Sequence, residues 1–161
     1  MKMIAAVDKN WAIGKDNGLL ISIPEDMKFF RETTAGHVVV MGRKTLDSFP
    51  GGRPLKNRTN IVLTRDRNFE REGAVVVHDK DELLEKLKDF DSDDIFVIGG
   101  ESIYRMLEPL CDTAYITMIE KEFEADAYFP KLSEISGWKM TDPGEKKEHE
   151  GTAFAFTTWE R

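Results

Sequence analysis

Asp26 is the acid in this chain most open to chemical use. It follows Ser22-Ile23-Pro24-Glu25, which reads as a capping box with a proline in the first turn and predicts a helix running to about Thr34. On that helix Asp26 shares a face with Phe30, four residues on, and Met27 lies beside them. A carboxylate on an apolar face loses hydration and its pKa rises, which suits a proton donor or a partner for a cationic heterocycle. An acid in a first helical turn also complements the helix dipole with no further role. Taken alone, Asp26 fits either account.

Two further places share one design. Val38-Val39-Val40-Met41 runs into Gly42-Arg43-Lys44-Thr45, and Ile95-Phe96-Val97-Ile98 runs into Gly99-Gly100-Glu101-Ser102. A helical pattern follows each. Glycine after a strand permits a sharp turn and close approach of a ligand, and free N–H groups at a helix start attract phosphate. Either junction alone is explained by an ordinary turn. Two on one sheet, one carrying Arg43 and Lys44, favour a dinucleotide, although the GxGxxG of an ordinary Rossmann fingerprint is absent. Thr64-Arg65-Asp66-Arg67 follows a third apolar run. An arginine at a strand end suits bidentate capture of phosphate, and Arg43 could converge with Arg65 on one group. A solvated surface arginine is the alternative.

The elements that must position these residues are legible as alternating runs. Strand-length apolar segments occur at Met3–Val7, Val38–Met41, Asn60–Thr64, Ala74–Val77, Ile95–Ile98, Ala114–Ile119 and Phe154–Trp159. Besides the Asp26 helix, helices are expected at Lys44–Ser48, Asp81–Phe90 and Glu101–Leu110, the second with Leu83, Leu84, Leu87 and Phe90 on one stripe. Strands alternating with helices, then two strands late, predict an α/β fold: a mainly parallel sheet with helices on both faces and an antiparallel C-terminal edge. The polar stretch Ser136–Gly151 reads as a surface loop or hairpin.

The 161 residues suit one domain spanning 1–161, with 40% hydrophobic and 33% charged residues, as in ordinary globular chains. A net charge of -7 argues against nucleic acid or an anionic membrane as partner, while leaving room for a small anion in a local basic pocket. No apolar run approaches a membrane span, and the N-terminus lacks a signal-peptide pattern. One cysteine, Cys111, fits a reducing cytoplasm. His37, His78 and His149 have no metal-ligand spacing, so no metal is expected.

Ile4-Ala5-Ala6-Val7, Ile13-Gly14, Pro24-Glu25-Asp26, Phe30, Met41-Gly42-Arg43-Lys44-Thr45, Arg58, Thr64-Arg65, Ile98-Gly99-Gly100, Tyr104, Tyr115-Ile116-Thr117 and Asp126-Ala127-Tyr128-Phe129-Pro130 stand in the order and spacing of bacterial dihydrofolate reductases, which the chain resembles from about Met3 to its last strand. The resemblance implies an eight-stranded, mostly parallel sheet and a monomeric enzyme that supplies tetrahydrofolate for one-carbon metabolism. It implies hydride transfer from NADPH to the pterin of dihydrofolate, with Asp26 bonding the pterin and promoting its protonation, and Thr117 supporting Asp26. Ile4, Ala5, Met27, Phe30, Phe49, Leu55 and Ile98 would line the folate slot, and Arg58 would clamp the glutamate tail. Ala6, Ile13, Gly14 and Leu19 would surround the nicotinamide and its ribose, with Tyr104 near the nicotinamide and the substrate. Gly42, Arg43, Lys44, Thr45, Gly99, Gly100, Glu101, Ser102 and Ile103 would hold the pyrophosphate and adenosine. Arg43, Thr64 and Arg65 would read the 2′-phosphate.

The chain departs from the family pattern at Leu19-Leu20-Ile21, where Leu-Pro-Trp is usual, and at Lys56-Asn57, where Pro-Gly is frequent. Ile21 has no donor for the water that an indole N–H would hold beside the pterin. Trp11 and Trp138 read as packing residues. Two rival readings are a pyrimidine reductase of riboflavin synthesis on the same fold and a noncatalytic nucleotide- or folate-binding module. Asp26, Phe30 and Arg58 disfavour the first, and retention of Asp26 and Thr117 disfavours the second.

Overall fold

Val38–Met41 and Ile95–Ile98 contain no polar residue because both of their faces are covered. All eight side chains are buried, as expected for parallel strands inside a sheet. In the computed structural model, which describes all 161 residues, the elements are β1 (Lys2–Val7), β2 (Ala12–Gly14), α1 (Pro24–Thr34), β3 (Val38–Gly42), α2 (Arg43–Ser48), β4 (Thr59–Leu63), β5 (Ala74–Val77), α3 (Lys80–Leu87), β6 (Ile95–Gly99), α4 (Glu101–Leu107), β7 (Thr113–Ile119), β8 (Ala127–Tyr128), β9 (Lys139–Asp142), β10 (Lys147–His149) and β11 (Thr152–Glu160). The main sheet has the order β10-β11-β7-β1-β6-β3-β4-β5. From β7 to β5 every pairing is parallel, and β11 joins β7 antiparallel.

Strand alternation sends successive side chains into two different cores. Val38, Val40, Ile95 and Val97 join the larger core with Leu83 and Leu87 of α3 and Ile103 and Leu107 of α4. Val39, Met41, Phe96 and Ile98 join the smaller one with Leu46 of α2, and Phe29 and Phe30 of α1 pack against it. Helices thus cover both faces, as the alternation of elements predicts.

The eighth sheet position is divided. β9 pairs with the end of β11 and β10 with its start, both antiparallel, so the two short strands share one edge. Of the stretch Ser136–Gly151, read as a loop or hairpin, Lys147–Gly151 is the outer strand and turn of a hairpin with β11, and the unforeseen part is Lys139–Asp142, a second edge strand on β11. The residues of β9 are all exposed, which leaves no apolar alternation to read, and charge on an edge strand discourages pairing with other chains. The break between the strands turns at Gly144, where φ is +66° and the N–H donates to Asp142 Oδ1 at 2.8 Å.

Other expectations are adjusted rather than overturned. The capping box does not form: Ile23 is the N-cap and no side chain caps the helix, while Ser22 Oγ lies 3.5 Å from Met27 Sδ. Ile23 is buried, so packing rather than a polar cap fixes the entry of α1. The helix expected at Asp81–Phe90 is α3, which starts one residue earlier behind Asp79 as a true cap and stops at Leu87. The helix expected to reach Leu110 stops at Leu107, and Glu108–Leu110 forms a 3-10 turn around Pro109. α2 begins at Arg43 rather than Lys44. A small second sheet of β2 and β8 went unforeseen. The buried Asp8 carboxylate ties it down by accepting the N–H groups of Asn10, Ala12 and Phe123 at 2.8–3.0 Å. Trp11 and Trp138 are buried packing residues, as expected, and Trp11 stacks on Phe129.

Two glycines of the C-terminal edge separate backbone strain from collision. A Cβ on Gly151, where φ is +81°, meets nothing within 4 Å, whereas one on Gly144 would lie 2.1 Å from the Phe156 carbonyl oxygen. Gly151→Ala should lower the unfolding free energy by about 1–2 kcal/mol, the strain of a left-handed backbone. Gly144→Ala should lower it clearly further, because backbone must move. Equal midpoints for the two variants in urea would contradict this account of the edge.

Candidate active site

Pro24 begins α1, and two residues later Asp26 points back toward the sheet. Thr117, in the middle of β7 and buried, donates its Oγ1–H to Asp26 Oδ1 at 2.6 Å. A half-buried acid next to a single hydroxyl is pulled two ways. Burial raises the Asp26 pKa above the usual carboxylate range, and the smaller opposing effect of the Thr117 hydrogen bond lowers it. Asp26 is the only polar residue lining a narrow cleft whose walls are Ala6, Ile13, Leu19, Leu20, Ile21, Ile23, Met27 and Ile119. Four residues expected around the reacting groups, Ala6, Ile13, Leu19 and Met27, are thus brought together with Asp26. Leu19 and Met27 remain exposed at its mouth.

Ile23 and Ile119 were missed. Ile119 lies two residues beyond Thr117 on the same strand, and that period-2 spacing was the available signal. Ile21 has no donor to offer; it packs against the cluster of Ile23, Ile119 and Phe154.

The rest of the expected folate slot lies on the neighbouring face. Ile4 and Ile98 are buried together, with Phe30, Phe49 and Leu55 packed against the same cluster. Ala5 instead packs against the larger core on the opposite face. Tyr104 is buried, and its hydroxyl donates to the Ile4 carbonyl at 2.7 Å.

Arg58 is pre-oriented. Its guanidinium donates to Thr34 Oγ1 at 2.9 Å, to the Lys56 carbonyl at 3.1 Å and to the Arg31 carbonyl at 3.3 Å. Burial, then the nearby Arg31 charge, lower its pKa. An arginine has five N–H donors, so two stay free, one on each terminal nitrogen. The loop before it is pinned by Asn60, whose amide accepts from Leu55 N and donates to Leu55 O at 3.0 and 2.9 Å. Neither Thr34 nor Asn60 was visible as a support in the sequence.

The two glycine junctions meet. A Cβ on Gly99, where φ is +143°, would come within 3.0 Å of Thr45 Oγ1, and one on Gly42 within 3.2 Å of Ile103. The Gly99–Gly100 peptide is cis. Gly42, Thr45, Gly99, Gly100 and Ile103 therefore form one continuous seam. Lys44 and Ser102 are exposed beside it, and the Lys44 carbonyl accepts the side-chain amide of Asn17 at 3.0 Å. The Glu101 carboxylate faces away into other contacts, accepting Tyr128 N at 2.7 Å and Arg105 Nε at 3.2 Å. It fastens β8 to α4. Gly14 lies in β2, its carbonyl accepting Asp126 N at 3.0 Å.

Arg43 and Arg65 differ in their surroundings. Arg43 pairs with Asp66 at 3.1 Å and Asp47 at 3.5 Å and lies over the Phe69 ring. Arg65 is exposed and makes no ion pair, while Thr64 Oγ1 accepts the Asp66 N–H at 3.2 Å. Asp47 and Asp66 were not foreseen as partners of Arg43.

The family model described as dihydrofolate reductase matches residues 1–161. The chain belongs to the dihydrofolate reductase family. Among its relatives, dihydrofolate reductase of Bacillus subtilis strain 168 is 39% identical over 163 aligned positions that take in 100% of this chain and 94% of that protein. The Staphylococcus haemolyticus dihydrofolate reductase is 36% identical, covering 100% and 95%. The fold matches a solved Enterococcus faecalis dihydrofolate reductase, complexed with NADP(H) and RAB-propyl, at a TM-score of 0.87 and 37% identity over 99% of this chain and 95% of that one. Membership of the dihydrofolate reductase family agrees with the resemblance read from the motifs, and the shared fold agrees with the expected sheet.

Because the folded Asp26 titrates above the unfolded one, the native state holds a proton that the unfolded chain releases in the window between the two. Stability then falls as pH rises through that window, and ionised Asp26 is destabilising at neutral pH. Asp26→Asn keeps an oxygen to accept from Thr117. It should raise the thermal midpoint at neutral pH, with the gain vanishing as pH falls below the ordinary carboxylate range. A gain of the same size at all pH values would refute the buried-acid account.

Proposed function

We propose that this dihydrofolate reductase uses Asp26 to promote protonation of the pterin of 7,8-dihydrofolate during its NADPH-dependent reduction to 5,6,7,8-tetrahydrofolate. The observation that carries the reading is the 2.6 Å Thr117–Asp26 hydrogen bond at the one polar point of an otherwise apolar cleft. A flat, partly cationic heterocycle finds there apolar walls for its faces and a carboxylate for its amino edge. Thr117 orients Asp26 and restrains its basicity. Ile4, Met27, Phe30, Phe49, Leu55 and Ile98 form the slot, Ala5 being turned to the opposite face, and the free donors of Arg58 clamp the tail's α-carboxylate. The single cysteine, buried and unpaired, supports a reducing cytoplasm.

The seam of Gly42, Thr45, Gly99, Gly100 and Ile103 suits close approach of a cofactor backbone, because added side chains at Gly42 and Gly99 would crowd it. Gly14, Ala6, Ile13 and Leu19 extend it to the Asp26 cleft, with Tyr104 behind. Lys44, Glu101 and Ser102 lie along it, Glu101 through its backbone. Arg43, Thr64 and Arg65 form the basic end, suited to a 2′-phosphate. NADPH supplies the hydride when bound. The chain's own residues exclude water from the reacting faces and hold the proton source at Asp26.

Asp26→Asn should reduce dihydrofolate turnover by about 10²–10⁴-fold at neutral pH, the usual worth of a positioned acid. NADPH binding, followed by nicotinamide fluorescence, should stay within error. Near-normal turnover would sink the assignment, and turnover of the riboflavin precursor instead of dihydrofolate would replace it.

Cofactor choice gives a separate check. NADPH should be preferred to NADH, and neutralising Arg43 or Arg65 should shrink the preference by about 1–3 kcal/mol per lost charged hydrogen bond. Asp66→Asn should widen it, since that carboxylate competes for Arg43. Equal use of both cofactors by the unaltered chain is the contrary result.

A further inference from the structure

The carboxylate of Glu101 plays no part in the proposed cofactor contacts, which use its backbone. It reaches instead from the start of α4 to β8. There Oε1 accepts Tyr128 N at 2.7 Å, while Oε2 accepts Arg105 Nε at 3.2 Å. Arg105 lies four residues on in the same helix, so the ion pair orients the carboxylate. Asp126 N and Phe129 N donate to the Gly14 and Trp11 carbonyls of the β2 segment. The N–H of Tyr128, between them in sequence, is given to Glu101.

The strand that Glu101 fastens leads to the wall of the Asp26 cleft. β8 is the only strand partner of β2. Beyond β2 the chain reverses tightly: Lys15 and Gly18 exchange backbone bonds at 3.1 and 2.9 Å, and Asp16 and Asn17 between them have φ of +50° and +61°. Two central residues with positive φ make the hairpin turn whose twist suits its strands. The turn lies close on β2, since a Cβ on Gly14 would stand 2.8 Å from the Gly18 carbonyl oxygen. So tight a turn follows the strand that carries it. At its tip Asp16 N donates to Asp126 Oδ2, and the Asn17 amide to the Lys44 carbonyl, both at 3.0 Å. Leu19, Leu20 and Ile21 come next and wall the cleft. They take part in no hydrogen bond, so their place is set by the turn before them and by the packing of Ile21 with Ile23 after.

We infer that the Glu101 side chain is a positioning residue for the reaction: by holding Tyr128 N it fixes β8, through β8 the turn at Asp16 and Asn17, and through the turn the aliphatic wall over Asp26. The inference rests on the reading of the Asp26 cleft as the place of reduction. Glu101 acts there only through the backbone it holds. A displaced wall admits water to the apolar faces and loosens the alignment of a flat heterocycle. The reach of the side chain matters more than its charge, because its task is to place one acceptor oxygen against one N–H.

The experiment compares Glu101→Ala, Glu101→Gln and Glu101→Asp with the unaltered chain. Gln keeps the reach and an acceptor oxygen but loses the charge; Asp keeps the charge and falls one methylene short. In the protein without ligands, the amide chemical shifts of Asp16, Asn17 and Leu19 should move in the Ala and Asp variants and stay in place in Gln. Val97, inside β6, serves as the reference and should move in none. Single-turnover hydride transfer from NADPH to dihydrofolate should fall by about three- to tenfold in Ala and Asp, the net worth of one hydrogen bond, and be restored in Gln. The opposite ranking, with Asp like the unaltered chain and Gln like Ala, would assign Glu101 to the charge balance of α4 and overturn the proposal. So would amides of the turn that stay in place in Ala, or amides that move while hydride transfer does not change. If the unaltered chain fails to oxidise NADPH with dihydrofolate, the reading of the cleft fails and the positioning role for the reaction falls with it; a ranking of chemical shifts that still follows reach would show that the strut itself survives.

Discussion

The hydroxyl of Thr117 is buried in the middle of β7, and its hydrogen bond to Asp26 joins the sheet to the first turn of α1. A buried donor must find an acceptor, and a half-buried carboxylate facing apolar walls gains from a donor. Each therefore dictates where the other lies. The helix has no polar cap of its own. Its position follows from that bond and from Ile23, which sinks into the same apolar cluster as Ile119 and Phe154. Ile21 packs on that cluster too, so the wall of the cleft and the entry of the helix are one packed unit. The acid is placed by the constraint that keeps it satisfied.

The sheet makes such a constraint affordable by being rigid on both sides. Alternate residues of β3 and β6 feed two separate cores, and shifting either strand by one residue would exchange those sets. The register of the sheet thus fixes where the glycine junctions emerge, and both emerge at the carboxyl ends of neighbouring parallel strands. That end of a parallel sheet, where helices begin, is where an open α/β fold binds its ligands.

Much of this was legible in the residues. Runs of Val, Ile and Met without polar interruption marked the inner strands, because burial on two faces tolerates nothing else. Asp26 with Phe30 and Met27 marked an acid on an apolar face, and Gly-Gly after Ile98 marked a close approach. What escaped was set by partners distant in the chain. The acids that hold Arg43 illustrate both cases: Asp47 stands four residues on and was open to reading as a helical pair, whereas Asp66 arrives from another strand. Thr34 under Arg58 and Tyr128 beneath Glu101 are contacts of the folded chain only. The edge strands β9 and β10 escaped for the opposite reason, since short, largely polar strands carry no hydrophobic period. Ser22 misled because a local polar pattern lost to the burial of Ile23.

Phe69 is a buried ring with a guanidinium on either side of its claim: Arg43 lies 4.3 Å from its centre and Arg71 5.0 Å, while Asp47 bridges the same two arginines. One aromatic side chain and one acid thus serve as a common footing for two basic groups from separate segments, Arg43 at the start of α2 and Arg71 in the loop before β5. A substitution at position 69 that removes the flat face takes the same support from both guanidiniums at once, whereas a change in either arginine leaves the other's contact in place.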